Sequence, residues 1–245
     1  MLVRNKKTFS AGIVFAISFL AVLLAIFTPL FKGKNGLQFA DDSFNRLSKG
    51  SSYFIPKVVT SNEKFMGKTF AATIKVDKPE DKPGDAEKRA ESIAKILTTA
   101  GAKADISGAS LKIEGDLGKV LASALQDSDD MFRNHGDRIK ARYGVDDEKK
   151  MFRQWHNTLT RVTKELQKEK KIEEAKMVSD VVKKAIEPAY NFYKIDGERV
   201  VDHAGMLSGL LVFYVAYTMW WGYAIFYMFD GLGLSMKKAK VKKEA

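Results

Sequence analysis

Two long apolar runs lie at opposite ends of a chain whose middle mixes apolar and charged positions. The run Met206–Phe229 has no charged residue over 24 positions, and as a helix it reaches roughly 36 Å at about 1.5 Å per residue. The hydrocarbon core of a bilayer is about 30 Å thick, so such a helix spans it with some tilt. Gly12–Phe31 has 20 residues and is also long enough. The pattern predicts two membrane spans bracketing one water-soluble region.

The N-terminal run begins as a secretory signal does, with positive charges followed at once by apolar residues. A cleaved signal, however, has an apolar region of about 7–15 residues and a small-x-small exit. Here the apolar run is longer, and it ends with Pro29, Leu30 and Phe31 in place of a small-x-small pattern. The sequence therefore predicts an uncleaved signal anchor.

The basic residues that flank the two runs predict the orientation. Cytoplasmic flanks of membrane spans are enriched in lysine and arginine. Around the first run the two flanks are nearly balanced, whereas Arg199 alone shortly precedes the second. The tail after the second run carries Lys237, Lys238, Lys240, Lys242 and Lys243. We therefore expect both termini in the cytoplasm and residues 32–205 across the membrane, which in a bacterium means an inner-membrane protein with a periplasmic domain.

The first part of the middle predicts a small α+β unit. Lys68–Val76 alternates apolar and polar residues, as a half-buried strand does. Ala86–Ala100 has a helical apolar stripe, with Asp85 as the expected N-cap and Gly101 as the C′ residue. Lys103–Ser107 and Ser110–Glu114 are expected to pair as a hairpin. A short helix from Asp116 or Leu117 to Gln126 completes a two-layer sandwich with helices on one face. No Gly-rich phosphate loop joins the strand to the helix, so nucleotide binding is not expected.

The segment before this unit, residues 32–67, is interpreted as a connector. It is rich in Gly, Ser, Lys and Asn with isolated apolar residues. Within it, Phe39–Leu47 predicts a short amphipathic helix near the lipid surface that starts at Asp41 or Asp42.

The segment after the α+β unit predicts long helical structure. Glu148–Ile186 contains no Gly or Pro, and its apolar residues first recur at alternating spacings of three and four. The phase slips through Gln167–Lys171 and then resumes. One helix of about 60 Å with a stutter fits this slip, and so does a tight break into two packed helices. We expect a helical stalk. The seam residues are Phe152, Trp155, Leu159, Val162 and Leu166, followed by Val178, Val181, Val182, Ala185 and Ile186.

Composition excludes several function classes. Much of the net charge of +11 lies in the two tails, where membrane topology puts it, so nucleic-acid binding is not expected. The chain has no cysteine, which rules out disulfides, thiolate-held iron–sulfur clusters and Cys-based zinc sites. Neither span contains an acid or base of the kind that marks ion transport.

No residue pattern predicts a catalytic, cofactor or metal site. His135, His156 and His203 form no ligand pair at helical spacing. His156 is expected to flank the packing seam. His203 lies just outside the second span, where an ordinary interfacial histidine is expected and ligation of haem or quinone is the alternative. The acidic stretch Asp127–Asp130 does not follow the calcium-loop pattern, and helix capping explains it better.

The second span is unusually aromatic. Tyr214 and Tyr217 lie deeper than an interfacial belt requires, and their hydroxyls need partners in hydrocarbon. Small residues such as Gly209 and Gly222 offer places where another helix can approach. We therefore expect a larger assembly, either a homo-oligomer or a complex with other membrane subunits.

These patterns predict an α+β membrane protein in which two transmembrane helices flank a small α+β domain and a long amphipathic helical stalk. The expected function is that of a non-enzymatic accessory or scaffold subunit without cofactors. The alternatives are an extracytoplasmic sensor acting through a partner, and a haem- or quinone-associated redox subunit. The predicted segments are the N-tail 1–11, span 12–31, connector 32–67, α+β domain 68–126, stalk 127–204, span 205–229 and basic tail 230–245.

Overall fold

The computed structural model describes residues 3–234 of the 245-residue chain. The described part is mostly helical with a small three-stranded sheet, and two compact units divide the chain. One unit comprises Met1–Leu47 with Glu198–Ala245, and the other is Ser48–Gly197. The five tail lysines used to predict the orientation lie outside the described residues.

The helices and the strands are numbered separately in chain order. Short 3₁₀ turns lie at Glu63–Phe65 and Val200–His203, and a π-helical turn lies at Val182–Ile186. The α-helices are α1 Lys6–Phe27, α2 Gly36–Ser51, α3 Ile55–Asn62, α4 Asp85–Thr99, α5 Leu117–Phe132, α6 Gly136–Tyr143, α7 Glu148–Lys168, α8 Ile172–Val181, α9 Glu187–Asn191 and α10 Ala204–Gly231. The strands are β1 Thr69–Lys75, β2 Lys103–Ser107 and β3 Ser110–Asp116.

The predicted strand and hairpin are confirmed, and the structure adds their order. The sheet is antiparallel with β3 in the centre, in the order β1-β3-β2. In β1, buried and exposed residues alternate as the sequence predicts. Its inward side chains belong to the hydrophobic core of this unit.

The two helices predicted in the α+β unit are present with different ends. Gly84 precedes α4 with a φ of 87°, and Asp85, the predicted N-cap, is instead the first helical residue. Asp116 caps α5 by accepting a hydrogen bond from the Lys119 amide at 3.2 Å. Helix α5 continues six residues past Gln126 because its last turns are also buried in the core.

The predicted stalk is wrong as a separate element. Residues 127–204 form several helices, and those up to α9 pack around the same core as the sheet. Helices α7 and α8 are separate, with Lys170 between them at a φ of 59° and the Lys171 amide bonded to the Leu166 carbonyl at 2.9 Å. The apolar seam of α7 is buried against β1 and α8, so it packs within its own domain and not in a coiled coil.

In the other unit, α1 and α10 pack antiparallel. Both are long and apolar enough to cross a membrane. The amides of Arg4 and Asn5 each donate to the Gly231 carbonyl at 2.9 Å, so the start of α1 meets the end of α10. Helix α2 is longer than predicted and begins at Gly36, because Asn35 rather than Asp41 or Asp42 accepts a bond from the Gln38 amide, at 2.9 Å.

Candidate functional site

The face of α10 that meets α1 is closely packed. The Tyr217 and Phe19 rings stack with centroids 4.1 Å apart and planes 14° from parallel. The Tyr217 hydroxyl also donates to the Phe19 carbonyl at 3.2 Å. Trp221 lies against the same ring at 4.8 Å. Phe19 thus contacts two aromatic residues of α10 that lie one helical turn apart.

Small residues bring the two backbones together nearer the chain termini. A Cβ atom added to Gly12 would lie 2.6 Å from the Met228 amide nitrogen, and one added to Gly231 would lie 2.6 Å from the Phe9 Cα. Ala224, whose carbonyl oxygen lies 3.0 Å from the same added Cβ at Gly12, is fully buried. Tyr217, Trp221, Ala224, Met228 and Gly231 recur at spacings of four and three, which places them on one face of the helix.

Away from α1 the surface of α10 is exposed and apolar, and it extends to Tyr214 at the border of the face that packs against α1. Val212 is 68% exposed and Tyr214 is 66% exposed. Added Cβ atoms at Gly209 and Gly222 would meet no atom of residues 3–234 within 4 Å. We call this surface the outer face of α10; its exposed large residues are Leu211, Val212, Tyr214, Val215, Met219, Tyr223, Phe226 and Phe229.

Polar groups on the two faces of α10 differ in their partners. Tyr217 is hydrogen-bonded to α1, and the Thr218 hydroxyl donates to the carbonyl of Tyr214 at 2.7 Å. Within residues 3–234 the Tyr214 and Tyr223 hydroxyls have no hydrogen-bond partner, and neither does the buried indole N–H of Trp220. The sequence pointed to deep hydroxyls in need of partners, but it did not show that only Tyr217 finds one.

The acidic stretch Asp127–Asp130 forms side-chain contacts within the unit Ser48–Gly197 and does not cap a helix. It lies in the last turns of α5, where the carboxylate of Asp127 is fully buried. Asp127 accepts hydrogen bonds from the Tyr143 hydroxyl at 2.5 Å and the Trp155 indole at 2.7 Å, and it pairs with Arg142. Burial raises the pKa of Tyr143. The capping interpretation of this stretch was wrong because Asp127 and Asp130 bind side chains of α6 and α7, and Asp129 binds Tyr53 and Arg133.

A second carboxylate, Glu148 in the first turn of α7, is held by three neighbours. It accepts a hydrogen bond from the Tyr193 hydroxyl at 2.7 Å, and the ammonium groups of Lys140 and Lys194 lie 3.2 and 3.5 Å away. The Tyr193 bond is the main cause that lowers the pKa of Glu148 to about 2. Burial, followed by the same bond, raises the pKa of Tyr193. Both carboxylates therefore act as structural charges.

The three histidines lie apart and each has its own surroundings. His156 is half-buried beside the seam residue Trp155 and lies 3.5 Å from Glu187. The Nε2 atom of His203 lies 3.0 Å from Glu198. The buried Nδ1 of His135 has no partner in the described part of the chain. Across residues 3–234 no group of three His, Cys, Asp or Glu side chains is placed to hold a metal ion.

Comparison of the chain with protein families, with curated proteins and with solved structures gave no match.

Proposed function

We propose that the protein is a two-span membrane protein that acts as a non-enzymatic accessory or scaffold subunit of a membrane complex. The observation that carries this proposal is the outer face of α10. A contiguous apolar surface of this length is not stable in water and calls for lipid or another protein as its cover. Lipid tails suit the aliphatic residues, but they cannot hydrogen-bond a tyrosine hydroxyl.

Tyr214 distinguishes lipid from another protein as the partner of this surface. It lies ten residues after the first residue of α10, or about 15 Å along the helix axis. In a hydrocarbon core about 30 Å thick, that position is close to the middle. A neighbouring transmembrane helix with a polar side chain or a free carbonyl satisfies the hydroxyl there, and the open space beside Gly222 lets backbones approach closely. The partner is a second copy of this chain or another membrane subunit.

The orientation in this proposal has both termini in the cytoplasm and Ser48–Gly197 in the periplasm of a bacterial inner membrane. The bonds from Arg4 and Asn5 to Gly231 support one side for both ends. The lysine-rich tail supports the cytoplasmic side. A reporter that is active only in the cytoplasm should work when fused after Ala245 and fail when inserted into the exposed Asp77–Gly84 loop; the reverse result refutes this orientation.

The redox and sensor alternatives have no specific observation in their favour. A haem iron bound by His203 would have to displace the Glu198 carboxylate from its Nε2 atom.

Site-directed photocrosslinking from α10 tests the scaffold proposal. Benzoylphenylalanine replaces Met219 on the outer face and, as a matched control, Tyr217 on the face packed against α1. We expect the Met219 probe to form one discrete adduct with a protein that also co-purifies in fixed stoichiometry in mild detergent. An adduct of twice the monomer mass identifies a homo-oligomer. The Tyr217 probe should react within its own chain. If the Met219 probe reacts only with lipid, the scaffold proposal fails.

A further inference from the structure

Strand β1 has a free edge whose polar groups can be assigned from the register. The Val76 amide donates to the Ala109 carbonyl at 2.8 Å, and the Leu117 amide donates to the Lys68 carbonyl at 2.8 Å. In an antiparallel pair, hydrogen-bonded and non-hydrogen-bonded residues alternate. The even-numbered residues of β1 therefore bond to β3, and the odd-numbered residues direct their amides and carbonyls away from the sheet.

Only one of these outward-facing residues is bonded within the described chain. The Lys75 carbonyl accepts a hydrogen bond from the Arg161 guanidinium of α7. The backbone groups of Thr69, Ala71 and Thr73 have no partner within residues 3–234. A row of unpaired amides and carbonyls on an edge strand is a template for one more strand.

A basic groove of about 670 Å³ lies where this edge meets α7. Thr73 and Lys75 line it from the strand, and Arg161, Lys164 and Lys168 line it from the helix. The one carboxylate in the lining, Glu165, already pairs with Lys168 at 2.8 Å. Lys75 and Lys164 are exposed and have no carboxylate partner in the described part of the chain. The groove thus has an uncompensated positive charge beside unpaired backbone groups.

We propose that this groove binds an extended acidic segment of a partner protein, which adds to the sheet as a fourth strand beside β1. The backbone of such a segment pairs with Thr73 and its neighbours, as in other cases of strand addition. Its carboxylates meet Lys75 and Lys164, where charge complementarity selects an acidic over a basic sequence. Among the described residues that line the groove there is no Phe, Tyr or Trp on which nucleic-acid bases would stack, and the one imidazole is that of His156, so a peptide is the better occupant. The surface lies within Ser48–Gly197 and does not depend on the α10 interface.

Peptide binding to the full chain in detergent micelles tests the charge requirement. The probe is a fluorescein-labelled nine-residue peptide of alternating Glu and Val, and its anisotropy is measured against protein concentration. We expect saturable binding that falls at least tenfold in the double variant Lys75→Glu, Lys164→Glu. The matched control is Lys119→Glu, Lys176→Glu, which reverses two exposed lysines outside the groove and should leave binding unchanged. No binding up to about 1 mM, or equal loss in both variants, overturns the proposal.

Backbone methylation of the peptide tests strand addition separately from charge. Two versions carry N-methyl groups on alternate amides, one in each frame, so that they keep every carboxylate. Since only alternate amides face β1, we expect one version to bind and the other to lose binding. Thr73→Pro removes an outward amide of β1 and should weaken binding, with the far-ultraviolet circular dichroism unchanged. If both methylated peptides bind, or if a thymidine nonanucleotide binds as tightly, the site recognises charge alone and strand addition is overturned.

Discussion

Tyr217 stacks on the Phe19 ring and donates its hydroxyl to the Phe19 carbonyl, so one side chain makes both an aromatic and a polar contact between α1 and α10. Tyr214, three residues earlier, makes neither contact with α1. Tyr217 therefore contributes to the contact between α1 and α10, whereas Tyr214 is exposed and available to another molecule.

Removing the Tyr217 hydroxyl should weaken the helix pair. In Tyr217→Phe the ring stack remains and the interhelical hydrogen bond is lost, a change of about 0.6 kcal/mol for bonds of this kind between membrane helices. Unfolding of the full chain by sodium dodecyl sulfate in bicelles measures the difference. Tyr214→Phe is the matched control, because its hydroxyl has no hydrogen-bond partner within residues 3–234 and the monomer should be unaffected. Equal effects of the two variants would contradict the assignment.

A side chain at Gly12 should separate α1 from α10. In Gly12→Ile the new Cβ would overlap the backbone at Met228, so the helices must move apart or the pair must dissociate. We expect a lower thermal midpoint for loss of the α1–α10 contact, measured through tryptophan fluorescence, because Trp221 packs against Phe19. Gly209→Ile makes the same change where the structure has open space, and its midpoint should match that of the parent chain.

Neutralising Asp127 should destabilise Ser48–Gly197 strongly. Asp127→Asn leaves the partly buried Arg142 with one carboxylate fewer and disrupts a buried ion pair, a class of change that costs about 3–5 kcal/mol. Urea unfolding followed by circular dichroism measures this loss. Asp129→Asn, an equal chemical change at a more exposed carboxylate paired with Arg133, should cost about 1 kcal/mol or less. A similar loss in both variants would show that burial of Asp127 is not the cause.

Glu148 should contribute a pH-dependent part of the stability of this domain. Its pKa in the folded protein is lowered from 4.5 to about 2, so the unfolded chain takes up a proton at higher pH than the folded chain. The stabilisation is therefore complete above about pH 5 and is lost as the pH falls toward 2. The free energy of unfolding in urea should decline less steeply between pH 5 and 2.5 in Glu148→Gln than in the parent chain. Tyr193→Phe should reduce the slope partly, since it removes the main cause of the shift. Parallel pH profiles would exclude Glu148 as the group.

The local elements of the α+β region could be predicted because their signals lie within a few residues. The alternation of apolar and polar residues predicts β1, and the turn at Ser107 and Gly108 predicts the hairpin of β2 and β3. The pairing of β1 with β3 joins residues about forty positions apart, and no local pattern encodes it. The free edge of β1 and the groove beside α7 follow from that pairing, so both were missed.

The stalk was misread because periodicity shows that a helix has an apolar face and does not show what covers it. The seam of α7 fits a coiled coil and an intradomain helix equally well. Asp127, which the sequence placed among capping residues, hydrogen-bonds Trp155 of that seam and helps to fix α7 against α5. In the same way, composition showed that α10 is aromatic, but only three-dimensional packing distinguishes Tyr217 from Tyr214.

A single core shared by the sheet and the later helices makes Ser48–Gly197 one cooperative folding unit. A fragment that ended at Gln126 would keep all three strands. It would expose the inner side chains of β1 to solvent, because α7, which packs against β1, would be absent. We therefore expect the whole of Ser48–Gly197, and not a shorter fragment of it, to fold on its own.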